Sequence, residues 1–234
     1  MKLFSTIIIF SLLIGCNSNR IKKPSLLGSQ NDKEYIEFKQ NQNFDSIIEA
    51  LPNFVLPMSS DSISKLVQRN QGHYEIDSSF LNKNITYENN DNLFNNTTTV
   101  MKDDEFFFYE INDKVFYPLY KWKKGNHYII GSLVKFYGEN DIPGASFLIS
   151  IFDKNGNQID YLIAFNRFSW EINYEFDFTI DSLFIVKINK LIENYYDDEK
   201  DDFIEEGEKP ETIRKTVHYN INDRGNFFKI KNKE

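Results

Sequence analysis

The sequence predicts a mainly β fold with minor α, in which an antiparallel meander sheet, barrel-like or a sandwich, follows one or two short helices. The clearest evidence is Ser146 to Phe165, two apolar runs of period-two alternation joined by Asp153-Lys154-Asn155-Gly156-Asn157. Asn-Gly favours the positive φ angles of a hairpin turn, because Gly lacks a Cβ and Asn tolerates that region. Strict alternation from Glu171 to Ile180 predicts a strand with one buried and one solvated face, and hence a one-sided sheet.

The remaining segments complete a meander of about nine strands joined mostly by short turns. These other predicted strands are Glu105 to Ile111, Lys114 to Tyr120, Tyr128 to Tyr137, Leu183 to Lys190, Thr212 to Ile221 and Asn226 to Lys231. Sequential hairpins remove exposed edges either by closing into a barrel or by folding into a sandwich, and the sequence leaves both open.

The segment before the sheet has helical spacing in two places. Phe44 to Leu51 has apolar residues on one helical face, with Asn43 able to cap the helix and Pro52 able to stop it. Ser60 to Val67 predicts a second short helix, capped by Ser60 or Asp61. Asn82 to Thr99 is rich in Asn and Thr and predicts a loop or an irregular edge.

The first sixteen residues predict export. Lys2 precedes an apolar run from Leu3 to Ile14, which is shorter than the ~20 residues of a membrane-spanning helix. Leu13-Ile14-Gly15-Cys16 resembles the lipobox of bacterial lipoproteins. The resemblance implies cleavage before Cys16 and acyl chains, palmitate among them, on that residue. Cys16 is the only cysteine, so an intramolecular disulfide is impossible and lipid attachment explains the single thiol; the alternative is an ordinary secreted protein.

The predicted order is a signal peptide over residues 1–15, a lipidated Cys16 with a flexible tether over 16–43, and a single β-rich domain over 44–234. The tether begins with basic residues and has no acidic cluster after the cysteine. By analogy with other lipoproteins, this favours the periplasmic side of the outer membrane. The lipobox, the DKNGNQID turn and the closing HYNINDRGNF resemble β-rich lipoproteins of AT-rich Gram-negative bacteria, a resemblance that implies no activity.

The acidic charge is concentrated in one loop. The formal net charge is −8, and Asp197 to Glu208 contains eight acidic residues and one lysine, a net of −7 that leaves −1 for the rest. Because phosphate backbones repel an acidic surface and the chain has no basic patch, nucleic acid is excluded as a partner.

Two stretches invite comparison with calcium sites. An EF-hand loop needs Gly at its sixth position and a bidentate Glu at its twelfth. Counted from Asp153, Gly156 is fourth and Ala164 twelfth, which predicts a plain hairpin. Counted from Asp197, Glu208 is twelfth but Asp202 replaces the Gly, which predicts a solvated loop and leaves weak cation binding open. No metal site and no cofactor are predicted.

Catalytic signals are weak. His73, His127 and His218 are far apart and lack zinc-ligand spacing, and the chain has neither a nucleophile elbow nor a phosphate-binding glycine loop. An envelope hydrolase of glycan or peptide stays an alternative, since a glycosidase needs only two carboxylates.

Binding is the favoured class of function. The aromatic residues Tyr117, Tyr120, Trp122 and Tyr128, with Lys121, Lys123 and Lys124 interleaved, predict an exposed platform for an envelope protein or a glycan. The alternative of a core role is the one that the pattern favours for these residues, because Phe116 and Tyr120 share one face at period two. An aromatic-lined barrel that carries an apolar ligand is a further alternative. The sequence therefore predicts a membrane-anchored cell-envelope lipoprotein that binds or scaffolds other components.

Overall fold

A computed structural model describes residues 36–37, 44–77, 85–88, 115–138, 141–197 and 199–230. These residues belong to one compact unit, Lys33–Glu234. The predicted signal peptide, Cys16, nearly all of the tether and the predicted strand from Glu105 to Ile111 lie outside the described residues. Among the described residues, no helix is long and apolar enough to cross a membrane.

The described chain contains two short helices, α1 (Phe44–Ala50) and α2 (Asp61–Ser64), and fifteen strands. The strands are β1 (Ile36–Glu37), β2 (Met58–Ser59), β3 (Val67–Asn70), β4 (His73–Ile76), β5 (Ile85–Glu88), β6 (Val115–Lys124), β7 (His127–Tyr137), β8 (Pro143–Phe152), β9 (Gln158–Ser169), β10 (Ile172–Ile180), β11 (Val186–Asn194), β12 (Tyr196–Asp197), β13 (Asp202–Phe203), β14 (Glu211–Ile221) and β15 (Phe227–Lys229).

The predicted antiparallel meander is confirmed. From β6 to β11 each strand pairs antiparallel with the next one along the chain, β11 then pairs with β14, and β14 pairs with β15. Strands β5 and β1 extend the sheet beside β6. Within the described part of the chain, β1 and β15 stand at opposite ends of this order and do not pair, so the sheet is open.

Strands β9 and β10 pair over only part of their length. These strands pair only from Asn166 to Ser169 and from Asn173 to Phe176, and further along β10 pairs with β2 instead. The rings of Phe147 on β8 and Phe178 on β10 nevertheless stack, with centroids 5.4 Å apart. Because β9 separates the two strands in the sheet and neighbouring strands lie ~4.8 Å apart, the sheet must curve strongly to bring these rings together.

The meander has two distinct ends. The turn end holds the connections β6–β7, β8–β9, β10–β11 and β14–β15, and there Lys124 Nζ donates a hydrogen bond to the carbonyl of Ile221 at 3.2 Å. The acidic end holds the β9–β10 turn at Trp170 and the hairpin β12–β13 with the loop that follows it. Strands β10 and β11 run from one end to the other.

The one-sided burial expected for the sheet holds only for part of it. In β10 and β11 buried and more exposed residues alternate, whereas β8 is buried on both faces from Gly144 to Phe152. The covering elements come from the N-terminal segment: Phe44 of α1 packs against Phe152, and β4 lies against β8 and β9. These elements are far away in sequence, so the apolar run of β8 did not reveal them.

Other differences concern short elements. The second helix ends at Ser64, its N-cap Ser60 makes no side-chain cap bond, and Val67 begins β3. Strands β3 and β4 form an unpredicted hairpin around Gln71-Gly72, which take φ angles of 49° and 90°. Strand β5 falls in the segment from Asn82 to Thr99, which was predicted as a loop or an irregular edge. Strand β12 ends at the first residue of the acidic loop, and β13 lies within that loop. All are two to four residues long, too short for an alternation pattern.

Candidate functional site

The four aromatic residues predicted as a platform do not form one surface. Tyr117 is buried, and Tyr120, Trp122 and Tyr128 are half-buried and packed against the core. Tyr120 and Trp122 pair with Gly131 and Ile129 on β7 and so share a face. Tyr128 lies on the opposite face with Phe152 and contacts Phe44 edge-on at 5.6 Å.

A β-bulge decides which residues of β6 share a face. The register shifts between Pro118 and Tyr120, so Tyr117 and Tyr120 face the same side although they are three residues apart. The same shift puts Phe116, opposite Val134, on the other face from Tyr120. The period-two alignment of Phe116 with Tyr120 was therefore wrong, although both side chains pack in or against the core as the alternative expected. Burial raises the pKa of the Tyr120 hydroxyl above its ordinary value.

Three connections at the turn end share one five-residue turn. In each, an Asp or Asn opens the turn, and its Oδ1 accepts the N–H groups two and four residues later; these residues are Asp153, Asp181 and Asn222. The fourth residue has a positive φ, 84° at Gly156, 63° at Phe184 and 79° at Gly225. The turn at Asp153 is the turn of the predicted hairpin. Both carboxylate oxygens of Asp153 accept hydrogen bonds from residues within that turn. The side-chain amide of Asn157 leads the hydrogen bonds that lower the pKa of Asp153.

Phe184 departs from this pattern because it is a bulky residue where the other two turns have glycine. Positive φ is unfavourable for a residue with a Cβ, so the packing of the side chain must hold this conformation. The ring is fully buried, stacks on Trp122 at 4.3 Å with an interplanar angle of 4°, and meets Phe54 edge-on at 5.5 Å. The predicted strand from Leu183 to Lys190 therefore began three residues too early, since β11 runs from Val186 to Asn194.

Two exposed aliphatic residues adjoin these rings in the chain. Val55 follows Phe54 and is 80% exposed, while Leu183 precedes Phe184 and is 71% exposed. They are the two most exposed large hydrophobic side chains among the described residues. We call Val55 and Leu183 the apolar patch. Sequence reasoning missed both, although Val55 lies in an uncharged run from Pro52 to Ser60 that sets it between two prolines.

The acidic end combines carboxylates with aromatic rings. Phe203 is 44% exposed and meets Trp170 edge-on at 5.8 Å, and the Tyr196 hydroxyl donates to Asp201. Desolvation and the neighbouring Glu193 raise the pKa of Tyr195. Desolvation acts to raise the pKa of Asp197, yet hydrogen bonds from Lys200 and Glu199 hold it below its ordinary value. Among the described residues no group of His, Cys, Asp or Glu has the arrangement of a metal site.

The three histidines lie on three different strands. His73 opens β4, His127 opens β7 beside Gly225, and His218 lies on β14. A buried polar pair occurs elsewhere: Ser146 Oγ donates to Asn166 Oδ1 at 2.9 Å, and both residues are fully buried. Among the described residues, the Asn166 amide nitrogen has no hydrogen-bond partner. The pair joins β8 to β9 inside the core rather than in an open cleft.

Comparisons with models of protein families, with curated proteins and with solved structures find no match to this chain. What the chain does must therefore be inferred from its own residues.

Proposed function

We propose that the chain is a lipoprotein of the cell envelope, anchored to a membrane through Cys16, whose β domain binds or scaffolds other envelope components. The observation that carries this proposal is the apolar run from Leu3 to Ile14 followed by Gly15-Cys16, with no other cysteine in the chain. Acyl chains on one residue hold a protein to a bilayer without a spanning helix, because each buried methylene contributes ~0.8 kcal/mol.

The surface of the domain offers contact points for a binding role. Two exposed aliphatic side chains lie at the turn end, and exposed Phe203 lies among carboxylates at the acidic end. Each group is smaller than the contiguous apolar patches that mark interaction sites, so these residues are candidate contact points and not a complete interface. An envelope protein or a glycan is the proposed class of partner, and the proposed location is the periplasmic side of the outer membrane.

Intact mass and detergent partitioning of the protein from the membrane fraction test the anchor. The wild type should begin at Cys16, carry the mass of a diacylglyceryl group and further acyl chains, and enter the detergent phase. Cys16→Ala should lose the lipid mass and leave the detergent phase. Ser18→Ala is the matched control, since it changes a small side chain two residues away and should keep the lipid. A mature wild-type protein without lipid mass would refute the anchor.

A further inference from the structure

We propose that the apolar patch, Val55 and Leu183, contacts the lipid surface of the membrane that carries the chain, so that the turn end of the domain faces the bilayer. The proposal rests on the proposed anchor at Cys16.

A ring contact brings the segments that carry the two residues together. Strand β2 pairs antiparallel with the end of β10, with Ser59 opposite Thr179 and Met58 opposite Ile180. Beyond Ile180 the chain enters the turn from Asp181 to Ile185, where the ring of Phe184 meets the ring of Phe54 edge-on at 5.5 Å. Phe54 and Phe184 are buried while their chain neighbours Val55 and Leu183 are exposed, so both exposed side chains lie in the same region of the turn end.

The area of the patch favours a lipid surface over a protein. Specific protein interfaces bury ~800 Å² on each partner, which two aliphatic side chains cannot supply. Shallow insertion into a bilayer requires only a few apolar side chains when the protein is already tethered. The tether raises the local concentration of the membrane surface, so that a weak contact is populated.

The surroundings of the patch suit the membrane interface. The segment from Pro52 to Ser60 has no charged residue, and the carboxylate of Asp181 accepts the N–H groups of Leu183 and Ile185. The half-buried rings of Trp122 and Tyr120 pack against Phe184 and Phe54, the chain neighbours of the patch residues. Trp and Tyr are the residues enriched where membranes meet water.

The charge distribution indicates the same orientation. The acidic loop from Asp197 to Glu208 follows the far end of β11, while the patch lies at the turn that precedes this strand. Nine residues of β11 span about 30 Å, which is longer than the Debye length of ~8 Å at physiological salt. With the turn end on the bilayer, the acidic loop is held away from anionic lipid headgroups, which would repel it.

The chain before the domain is long enough to allow this orientation. Twenty peptide steps separate Cys16 from Ile36 in β1, and a fully extended chain of this length reaches at most ~70 Å. The longest described strand, β9 with 12 residues, spans about 40 Å. The chain after the anchor is therefore long enough for either end of the sheet to face the bilayer. The exposed apolar side chains of the patch favour the turn end.

A fluorescent label at the patch tests the proposal. The full lipidated chain with Leu183→Cys is labelled with an environment-sensitive dye, since the Cys16 thiol is already acylated. It is then reconstituted in vesicles of phosphatidylethanolamine and phosphatidylglycerol. We expect a blue shift and quenching by brominated acyl chains. Phe203→Cys, labelled in the same way at the acidic end, is the matched control and should show neither.

A second variant tests whether the patch itself makes the contact. Val55→Asp, combined with the label at Leu183→Cys, should abolish the shift, and it should fold because Val55 is 80% exposed. Equal emission from the two label positions, or a shift that persists with Val55→Asp, would overturn the proposal.

The same samples separate this proposal from the anchor. Lipid mass on Cys16 without a shift at position 183 would overturn the patch and leave the anchor intact. If the mass shows no lipid, the labelled Leu183→Cys chain in the Cys16→Ala background is titrated with the same vesicles. A shift there would support the patch without the anchor, and no shift would overturn both.

Discussion

The ring of Trp122 on β6 stacks on the ring of Phe184 at a centroid distance of 4.3 Å and an angle of 4°. The two residues belong to opposite halves of the curved sheet, and the stack closes the core at the turn end. Phe184 reaches this position only by taking a φ of 63°, a conformation that glycine takes in the two sister turns.

Replacing Phe184 should separate the contribution of the ring from that of the backbone. Phe184→Ala should lower the free energy of unfolding by about 3–5 kcal/mol, because a fully buried ring is lost. Phe184→Gly should be more stable than Phe184→Ala by about 1 kcal/mol, since glycine relieves the positive φ. Urea denaturation measures both, with Leu183→Ala at the exposed neighbour as the control. An alanine variant as stable as the glycine variant would contradict strain at this residue.

Gly131 should not accept a larger side chain. A Cβ at this position would lie 2.5 Å from Cζ of Phe147 and 2.6 Å from Cζ of Phe54, so that two core rings would have to move. Gly131→Ala should therefore lower the free energy of unfolding by about 1–3 kcal/mol in thermal or urea denaturation. Lys187→Ala, on the exposed face of β11, is the control and should change it by less than ~0.5 kcal/mol. Unchanged stability of Gly131→Ala would refute the close approach of the rings.

The turn at Asp153 should make stability depend on pH. Hydrogen bonds from Asn157 and the turn backbone lower the pKa of Asp153 from its ordinary 3.8. Because the pKa of Asp153 is lower in the folded state, the ionised carboxylate stabilises the fold at pH values above the pKa of the unfolded state. This contribution is lost as the pH falls through the pKa of the folded state. Asp153→Asn keeps the Oδ1 acceptor of the turn but replaces Oδ2, which accepts from the Asn157 amide, with an NH2 group, so it should lower the free energy of unfolding at neutral pH and lose less on acidification. Denaturation at neutral and acidic pH compares the two proteins, and an identical loss in both would exclude this contribution.

The buried pair Ser146 and Asn166 should show non-additive stability. Ser146→Ala removes the donor to Asn166 Oδ1 and should cost about 1–3 kcal/mol, because a buried acceptor is left unsatisfied. Adding Asn166→Leu should recover part of this loss, since no polar group then remains in the pair. A double-mutant cycle by urea denaturation measures the coupling. Additive losses would show that the hydrogen bond carries no coupling energy.

Local patterns in the sequence predicted most of the sheet. Period-two alternation located β10 to within one residue of its start, and Asn155-Gly156 located the central hairpin. The predicted start of a strand at Leu183 and the predicted faces of the β6 side chains were wrong, and each error has a physical reason. Phe184 continues the alternation of β11 but occupies a turn, and the bulge after Pro118 arises only when β6 pairs with β7.

Local sequence patterns predicted the exposed candidate residues much less well than they predicted the strands. Tyr120 and Trp122 were recognised as candidates from their aromatic spacing, but Tyr128 lies on the opposite face because of strand register. Val55 and Leu183 have no periodic signal, and their exposure follows from the burial of Phe54 and Phe184 beside them.

The sequence by itself determined the long strands of the meander, the Asn155-Gly156 turn and the acidic composition of the loop from Asp197 to Glu208, because each depends on residues within a few positions of one another. Only the tertiary structure decided that Trp122 stacks on Phe184, that the apolar run of β8 is covered on both faces, and that Val55 and Leu183 are exposed next to buried rings. Those outcomes depend on strand register and on contacts between distant segments. Side-chain packing selects among arrangements that have the same local pattern.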